Sequence, residues 1–137
     1  MKILVTGAKG FIGKNLCSQL HNIADQKARW YKLLKPIEAI YEYDINSTPE
    51  KLDEWCKDTD FVFNLANITS LLDTLKEYSN TCPVMISSSS LAALDNSYGQ
   101  SKKVYEELMF QYSQETGAKV LVYRFPNLFG KWSDLAD

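Results

Sequence analysis

Histidine is almost missing from this 137-residue chain. His21 stands alone, so a His-based metal centre or a Ser-His-Asp triad has little material, and His21 itself reads as non-catalytic. Cysteine is scarce too. Cys17, Cys56 and Cys82 are odd in number, far apart and without a Cys-x-x-Cys pair. That excludes a disulfide framework and a zinc site, and fits free thiols in a reducing cytosol. No metal site is expected. Surplus positive charge is lacking as well: 15 Lys and Arg stand against 17 Asp and Glu, a net charge of −2. A general nucleic-acid binder, which must neutralise phosphates, is thereby excluded. No apolar run approaches the ~20 residues that span a bilayer. The apolar start is only a few residues long, so no signal peptide is expected. These absences point to a cytoplasmic protein with no nucleic-acid partner and no membrane insertion. The length suits one domain with its own core.

What is present is an alternation. "KILVT" (2–6) is a short apolar run ending at glycine, as suits a buried parallel strand. "KGFIGKNLCSQLHNI" follows, with Phe11, Ile12, Leu16, Leu20 and Ile23 near helical spacing. "ADQKARWYKLLKP" is charged and reads as a loop or a helix extension. "IEAIYEYDI" (37–45) is a second strand; "STPEKLDEWCKD" is a helix with Ser/Thr caps and Pro49 in its first turn. "DFVFNLA" (60–66) is a strand, "SLLDTLKEYSN" a helix, and "PVMISSSS" (83–90) a strand dissolving into serines. "SYGQSKKVYEELMFQYSQETGA" reads as a long helix ended by Gly117, and "KVLVYRF" (119–125) as a fifth strand. Strands alternating with helices predict an α/β fold, a doubly wound parallel sheet of about five strands with helices on both faces. Ligands bind such sheets at the carboxyl ends of the strands.

Three glycines crowd the first of those ends. "MKILVTGAKGFIG" carries Gly7, Gly10 and Gly13 in a Gly-x-x-Gly-x-x-Gly spacing directly after a strand. A turn here must be tight, admit a phosphate to the backbone, and let the helix pack closely; side chains obstruct all three. The helix N-terminus then offers N–H groups and a positive dipole end to a pyrophosphate. The spacing is neither Gly-x-Gly-x-x-Gly nor a Walker loop, but the position predicts dinucleotide binding. Phe11 and Ile12, between the last two glycines, belong to the same expected cradle. The acid that should read the ribose is Asp44, ending the second strand 31 positions after Gly13. A carboxylate there bonds the ribose hydroxyls and repels a 2′-phosphate, so NAD is favoured over NADP.

The serines precede a second signal, Tyr98-x-x-x-Lys102 in "SYGQSKK". Residues four apart share a helix face, so phenol and ammonium can line one cleft. The lysine charge then favours the phenolate. Such a pair can protonate a carbonyl while a nicotinamide delivers hydride, and a serine at a strand end can hold the same oxygen. Tyr31-x-x-x-Lys35 has the same spacing with no site around it and reads as a decoy.

Together "VTGAKGFIGKNL", "FVFNLA", "ISSSS", "YGQSK" and "YRFPNLFGKW" resemble the extended short-chain dehydrogenase/reductases, the NAD-dependent epimerase/dehydratase group acting on nucleotide sugars. Within it, "AKGFIGKNL", "CPVMISSS" and "VYRFPNLFGKW" look most like the bacterial reductases of capsular polysaccharide and N-acetyl-fucosamine precursor synthesis. The resemblance implies a Rossmann fold, NAD or NADP, a nucleotide-sugar substrate and a Ser-Tyr-Lys centre. Residue by residue, it puts Gly7, Gly10 and Gly13 at the pyrophosphate and Ala66, in "NLA" where "HLA" is usual, beside the cofactor. Tyr98 becomes the acid/base and Lys102 the lysine that also holds the nicotinamide ribose. Ser89 matches the serine, with Ser88 and Ser90 close by. Phe125 and Pro126 fall where the family's loop passes the nicotinamide, and Asn127 near the substrate's nucleotide end.

Departures from the family also carry expectations. Members run to roughly twice this length, with a substrate-binding part after the "RFPNLFG" strand, and the capsular reductases add a cupin-like metal domain. Residues 1–137 are therefore expected to be one dinucleotide-binding domain, a fragment or shortened version of a longer enzyme that lacks the C-terminal substrate domain. Asn67 lies too close to "NLA" to match the family's proton-relaying asparagine. A sheet without its last strands has an open edge, which a homo-oligomer or partner would cover, and Phe129, Trp132 and Leu135 are candidates for that patch. A non-catalytic dinucleotide-binding module and an assembly fragment stay open beside the enzyme.

Overall fold

A computed structural model describes residues 1–25, 36–66, 68–89 and 97–125, with the backbone alone for 88–89, 97–103 and 124–125. The alternation expected from the sequence is present. Strands β1 (Lys2–Thr6), β2 (Ala39–Tyr43), β3 (Phe61–Asn64), β4 (Val84–Ser89) and β5 (Val120–Phe125) alternate with helices α1 (Phe11–Ala24), α2 (Pro49–Cys56), α3 (Ser70–Glu77) and α4 (Ser97–Thr116). The five strands form one parallel sheet in the order β2-β1-β3-β4-β5. This is a Rossmann-like α/β fold.

The centre of β1, Ile3, Leu4 and Val5, is apolar because both of its faces are covered. Leu4 joins Val62, Val84 and Ile86 under α2, α3 and α4, where Leu52, Leu71, Leu75, Met109 and Tyr112 complete the larger core cluster. Ile3 and Val5 face the other way and meet Cys17 and Leu20 of α1. Helices therefore lie on both faces, but unevenly. On β5, Val120 and Val122 pack into the larger cluster, while Leu121 and Tyr123 are 37% and 53% exposed. Among the described residues this strand is an edge of the sheet. The candidate patch residues Phe129, Trp132 and Leu135 lie outside the described residues.

Several local details differ from the sequence reading. In α1 the buried residues are Gly13, Cys17 and Leu20, one turn apart, while Phe11 and Ile12 at the helix start are only partly covered. Thr48 takes the N-cap position of α2 with Pro49 behind it, but its side chain makes no capping bond. Helix α2 is held instead through Trp55, which stacks on Tyr41 at 5.2 Å and meets Tyr43 edge-on. Gly117 does end α4, with a left-handed φ of +78° and its N–H donating to the Ser113 carbonyl. The three thiols are free, and burial pushes each of them up to about 12. Among the described residues no group of His, Cys, Asp and Glu could hold a metal ion, and no helix is long and apolar enough to cross a membrane.

Leu75 is fully buried between α3 and the sheet. Leu75→Ala is expected to lower the unfolding free energy by about 2–5 kcal/mol, read from the urea midpoint at constant m-value.

Candidate active site

The order of the sheet fixes where the site lies. The chain leaves β1 for β2 on one side and later returns to place β3 on the other, so the connections after β1 and β3 diverge. A cleft of about 660 Å³ opens at that point. Gly7, Lys9 and Gly10 line it from the β1–α1 turn, Tyr43, Asp44 and Ile45 from the end of β2, and Ala66 and Ile68 from the end of β3.

The three glycines serve three different needs. Gly7 has φ +68°, a left-handed conformation, and a Cβ on it would lie 3.1 Å from the Ala66 nitrogen. Gly13 is a packing glycine: a Cβ there would stand 2.0 Å from the Gly7 carbonyl oxygen and 2.8 Å from Ala8 Cα. Gly10 is constrained by neither. It is the N-cap of α1 with extended angles open to any residue, and a Cβ would touch only the Gly7 oxygen at 3.4 Å. Its bare face is turned to the cleft that it lines, which is what the approach of a ligand backbone or phosphate requires. No side chain caps α1, and its first turn holds no acid. The helix-end N–H groups and the positive end of the dipole are thus left for an anion.

Asp44 closes the other wall. Its carboxylate accepts the Asn46 N–H at 2.7 Å and pairs with the Lys9 ammonium at 3.4 Å. The Asp44 side chain is 13% exposed, whereas Lys9 is 67% exposed. Ile45, next along the chain, is 96% exposed on the lip of the cleft. Lys9, Ile45, Tyr43 and Ile68 were not among the site residues expected from the sequence. A fully exposed isoleucine beside a carboxylate is the kind of signal that only a placed strand end reveals.

Gly7, Gly10, Asp44 and Ala66 are thus gathered around one cleft, with Phe11, Ile12 and Gly13 in the first turn of the helix that opens it. The other expected site residues sit on neighbouring elements. Ser89 is the last residue of β4, in register with Phe125 on β5, and Tyr98 and Lys102 occupy the first two turns of α4. Of the serine run, Ser87 is engaged by the scaffold: its hydroxyl donates to the Leu65 carbonyl at 3.3 Å. Ser90, Pro126, Asn127 and Asn67, with the decoy pair Tyr31 and Lys35, lie outside the described residues.

A glycine-lined helix end and a strand-end acid on opposite walls of one cleft are the arrangement of a dinucleotide-binding family, and the profile of the NAD dependent epimerase/dehydratase family matches residues 3–84. The chain belongs to this family. It is 31% identical, over 97% of its length, to a UDP-2-acetamido-2,6-beta-L-arabino-hexul-4-ose reductase from Pseudomonas aeruginosa, of which it spans 37%. Among solved structures of similar shape is the capsular polysaccharide assembling protein CapF from Staphylococcus aureus. That likeness has a TM-score of 0.81 and 34% identity, over 98% of this chain and 36% of CapF. The fold also matches a UDP-glucuronic acid 4-epimerase from Bacillus cereus solved in complex with NAD, with a TM-score of 0.70 and 22% identity. That match covers 97% of this chain and 58% of the epimerase. The chain thus spans little more than a third of the length of its two more similar relatives.

The unequal roles of the glycines are testable. Gly13→Ala forces backbone apart and is expected to cost about 3 kcal/mol or more. Gly10→Ala should cost only about 1 kcal/mol, the N-cap preference of glycine over alanine. Thermal melts of the two variants would check this order.

Proposed function

We propose that this chain is the dinucleotide-binding domain of an NAD(P)-dependent reductase or epimerase of a nucleotide-linked sugar, serving the synthesis of cell-surface polysaccharide precursors. The observation that carries the reading is the convergence of Gly10, the uncapped α1 terminus and Asp44 on one cleft. The likeness to a UDP-sugar reductase and to CapF supports the substrate class and the polysaccharide role. These residues fit a dinucleotide. The α1 N–H groups would take the pyrophosphate, Asp44 the adenosine ribose, and exposed Ile45 would offer the adenine an apolar surface.

The bound nicotinamide supplies the hydride. The chain's own residues handle the oxygen and its proton. Tyr98 would give a proton to the substrate oxygen or take it back, and Ser89 would hold that oxygen by a hydrogen bond. Lys102, one turn from Tyr98 on α4, would favour the phenolate by its charge and bond the nicotinamide ribose. The sugar would be held by parts of a longer protein, since the chain spans little more than a third of its relatives.

Cofactor preference follows from charge. Asp44 disfavours a 2′-phosphate, and the Lys9 ammonium beside it offsets part of that repulsion. NADH should therefore bind more tightly than NADPH by about tenfold, on the order of 1–2 kcal/mol.

Fluorescence titration of the chain with NADH and NADPH tests the cofactor reading. Both should bind, NADH more tightly, and Gly10→Val should abolish binding while the circular dichroism spectrum is kept. Failure of the folded chain to bind either dinucleotide would sink the proposal. Asp44→Ala should bring the two affinities together; an unchanged ratio would remove Asp44 from the ribose site. In the longer protein carrying this domain, Tyr98→Phe should lower turnover by ~100-fold or more with cofactor affinity kept, and Tyr31→Phe should change little.

A further inference from the structure

Few polar side chains are buried among the described residues, and two of them touch. Thr6 ends β1, Asn64 ends β3, and both are fully buried. Asn64 uses every hydrogen-bonding position that an amide has. Its Oδ1 accepts from the Thr6 hydroxyl at 2.7 Å and from the Ile68 N–H at 3.1 Å. Its Nδ2 donates to the Ile68 carbonyl at 3.3 Å and to the Tyr105 hydroxyl at 2.6 Å. The two bonds to Ile68 leave one orientation of the amide, since an N–H must face oxygen and a carbonyl must face nitrogen. Thr6 Oγ1 in turn accepts the Ala66 N–H at 3.2 Å. A chain of hydrogen bonds, buried at Thr6 and Asn64, therefore runs from the Ala66 backbone to the half-buried Tyr105.

The two ends of this chain lie in different parts of the molecule. Ala66 and Ile68 line the cleft. Tyr105 belongs to α4, three residues after Lys102 and seven after Tyr98, so the three positions share one face of the helix. Burial holds the Tyr105 phenol well above its ordinary range, so it stays neutral and keeps accepting the amide proton across the working pH range. A saturated buried network has one good arrangement, and displacing one member leaves others unpaired in a dry interior.

We propose that Asn64 and Tyr105 are positioning residues that couple the cofactor cleft to α4: a dinucleotide seated against Ala66 fixes Ala66 and Ile68, and the Thr6–Asn64–Tyr105 chain passes that constraint to the helix bearing Tyr98 and Lys102. This rests on the dinucleotide reading of the cleft. A role confined to packing would alter stability alike with and without cofactor. Coupling alters the response of α4 to the cofactor.

Amide hydrogen exchange of the 137-residue chain, with and without saturating NADH, separates the two. In the unchanged chain NADH should slow exchange over residues 7–14 and also over 97–104. Tyr105→Phe removes one hydroxyl and keeps the ring. It should bind NADH within about threefold of the unchanged chain and keep the slowing over 7–14, while the slowing over 97–104 falls at least fivefold. Thr6→Val cuts the other end with nearly the same shape and should do the same, so either folded variant decides the matter. Slowing over 97–104 that persists in the variants, or that is absent from the unchanged chain while 7–14 is protected, overturns the coupling. No slowing over 7–14 overturns the dinucleotide reading and the coupling with it.

Discussion

Helix α1 rests on the turn before it with no room for a methyl group. The hydrogen of Gly13 occupies a space in which a Cβ would lie 2.0 Å from the Gly7 carbonyl oxygen. That contact fixes how far the helix stands from the end of β1, and hence where its N-terminus points. The left-handed Gly7 is the other half of the constraint, because it turns the chain sharply enough for α1 to start beside the strand just left. With these two glycines set, Gly10 falls on the cleft wall and the end of β3 comes within reach, as the approach of Ala66 to Gly7 shows. The whole binding surface depends on this single close approach of backbone to backbone.

The charges around the cleft follow a consistent pattern. The first turn of α1 carries no acid that would compete with an anion. Among the described residues that line the cleft the one carboxylate, Asp44, stands at the far wall, tied down by the Asn46 N–H and balanced by Lys9. Positive potential at the helix end and an oriented acceptor some way off suit a ligand with phosphates in its middle and hydroxyls toward one end.

Much of this was legible in the sequence because it rests on local signals. Strand β1 is built on the apolar run Ile3-Leu4-Val5, the glycine spacing follows it directly, and Gly117 marks the end of α4. Asp44 could be picked out because it ends a β-prone segment, despite its long distance from the glycines. The features that escaped depend on distant partners. Asn64 looked like a mere replacement in the "NLA" motif; its meaning lies in Tyr105, 41 residues on, and in Thr6, 58 residues back. Lys9 carries no signal of its own in the sequence, because its partner, Asp44, is brought beside it only by the β1–β2 ladder. The buried stripe of α1 was misjudged for a similar reason: hydrophobicity drew attention to Phe11 and Ile12, whereas Gly13 and Cys17 are the small residues that let the helix sit close.

The order of strands has a consequence for how the protein is made. β1 is made before both of its partners, yet in the sheet it lies between β2 and β3. Its second neighbour is complete only when Asn64 has been added. Every ladder among the described strands is parallel, so none of these strands can find its partner through a tight hairpin. Until then a strand whose Ile3, Leu4 and Val5 end up buried carries an open edge, the condition in which nascent chains pair wrongly or engage chaperones. The strand that later anchors the binding turn is thus the one that waits longest for its neighbours.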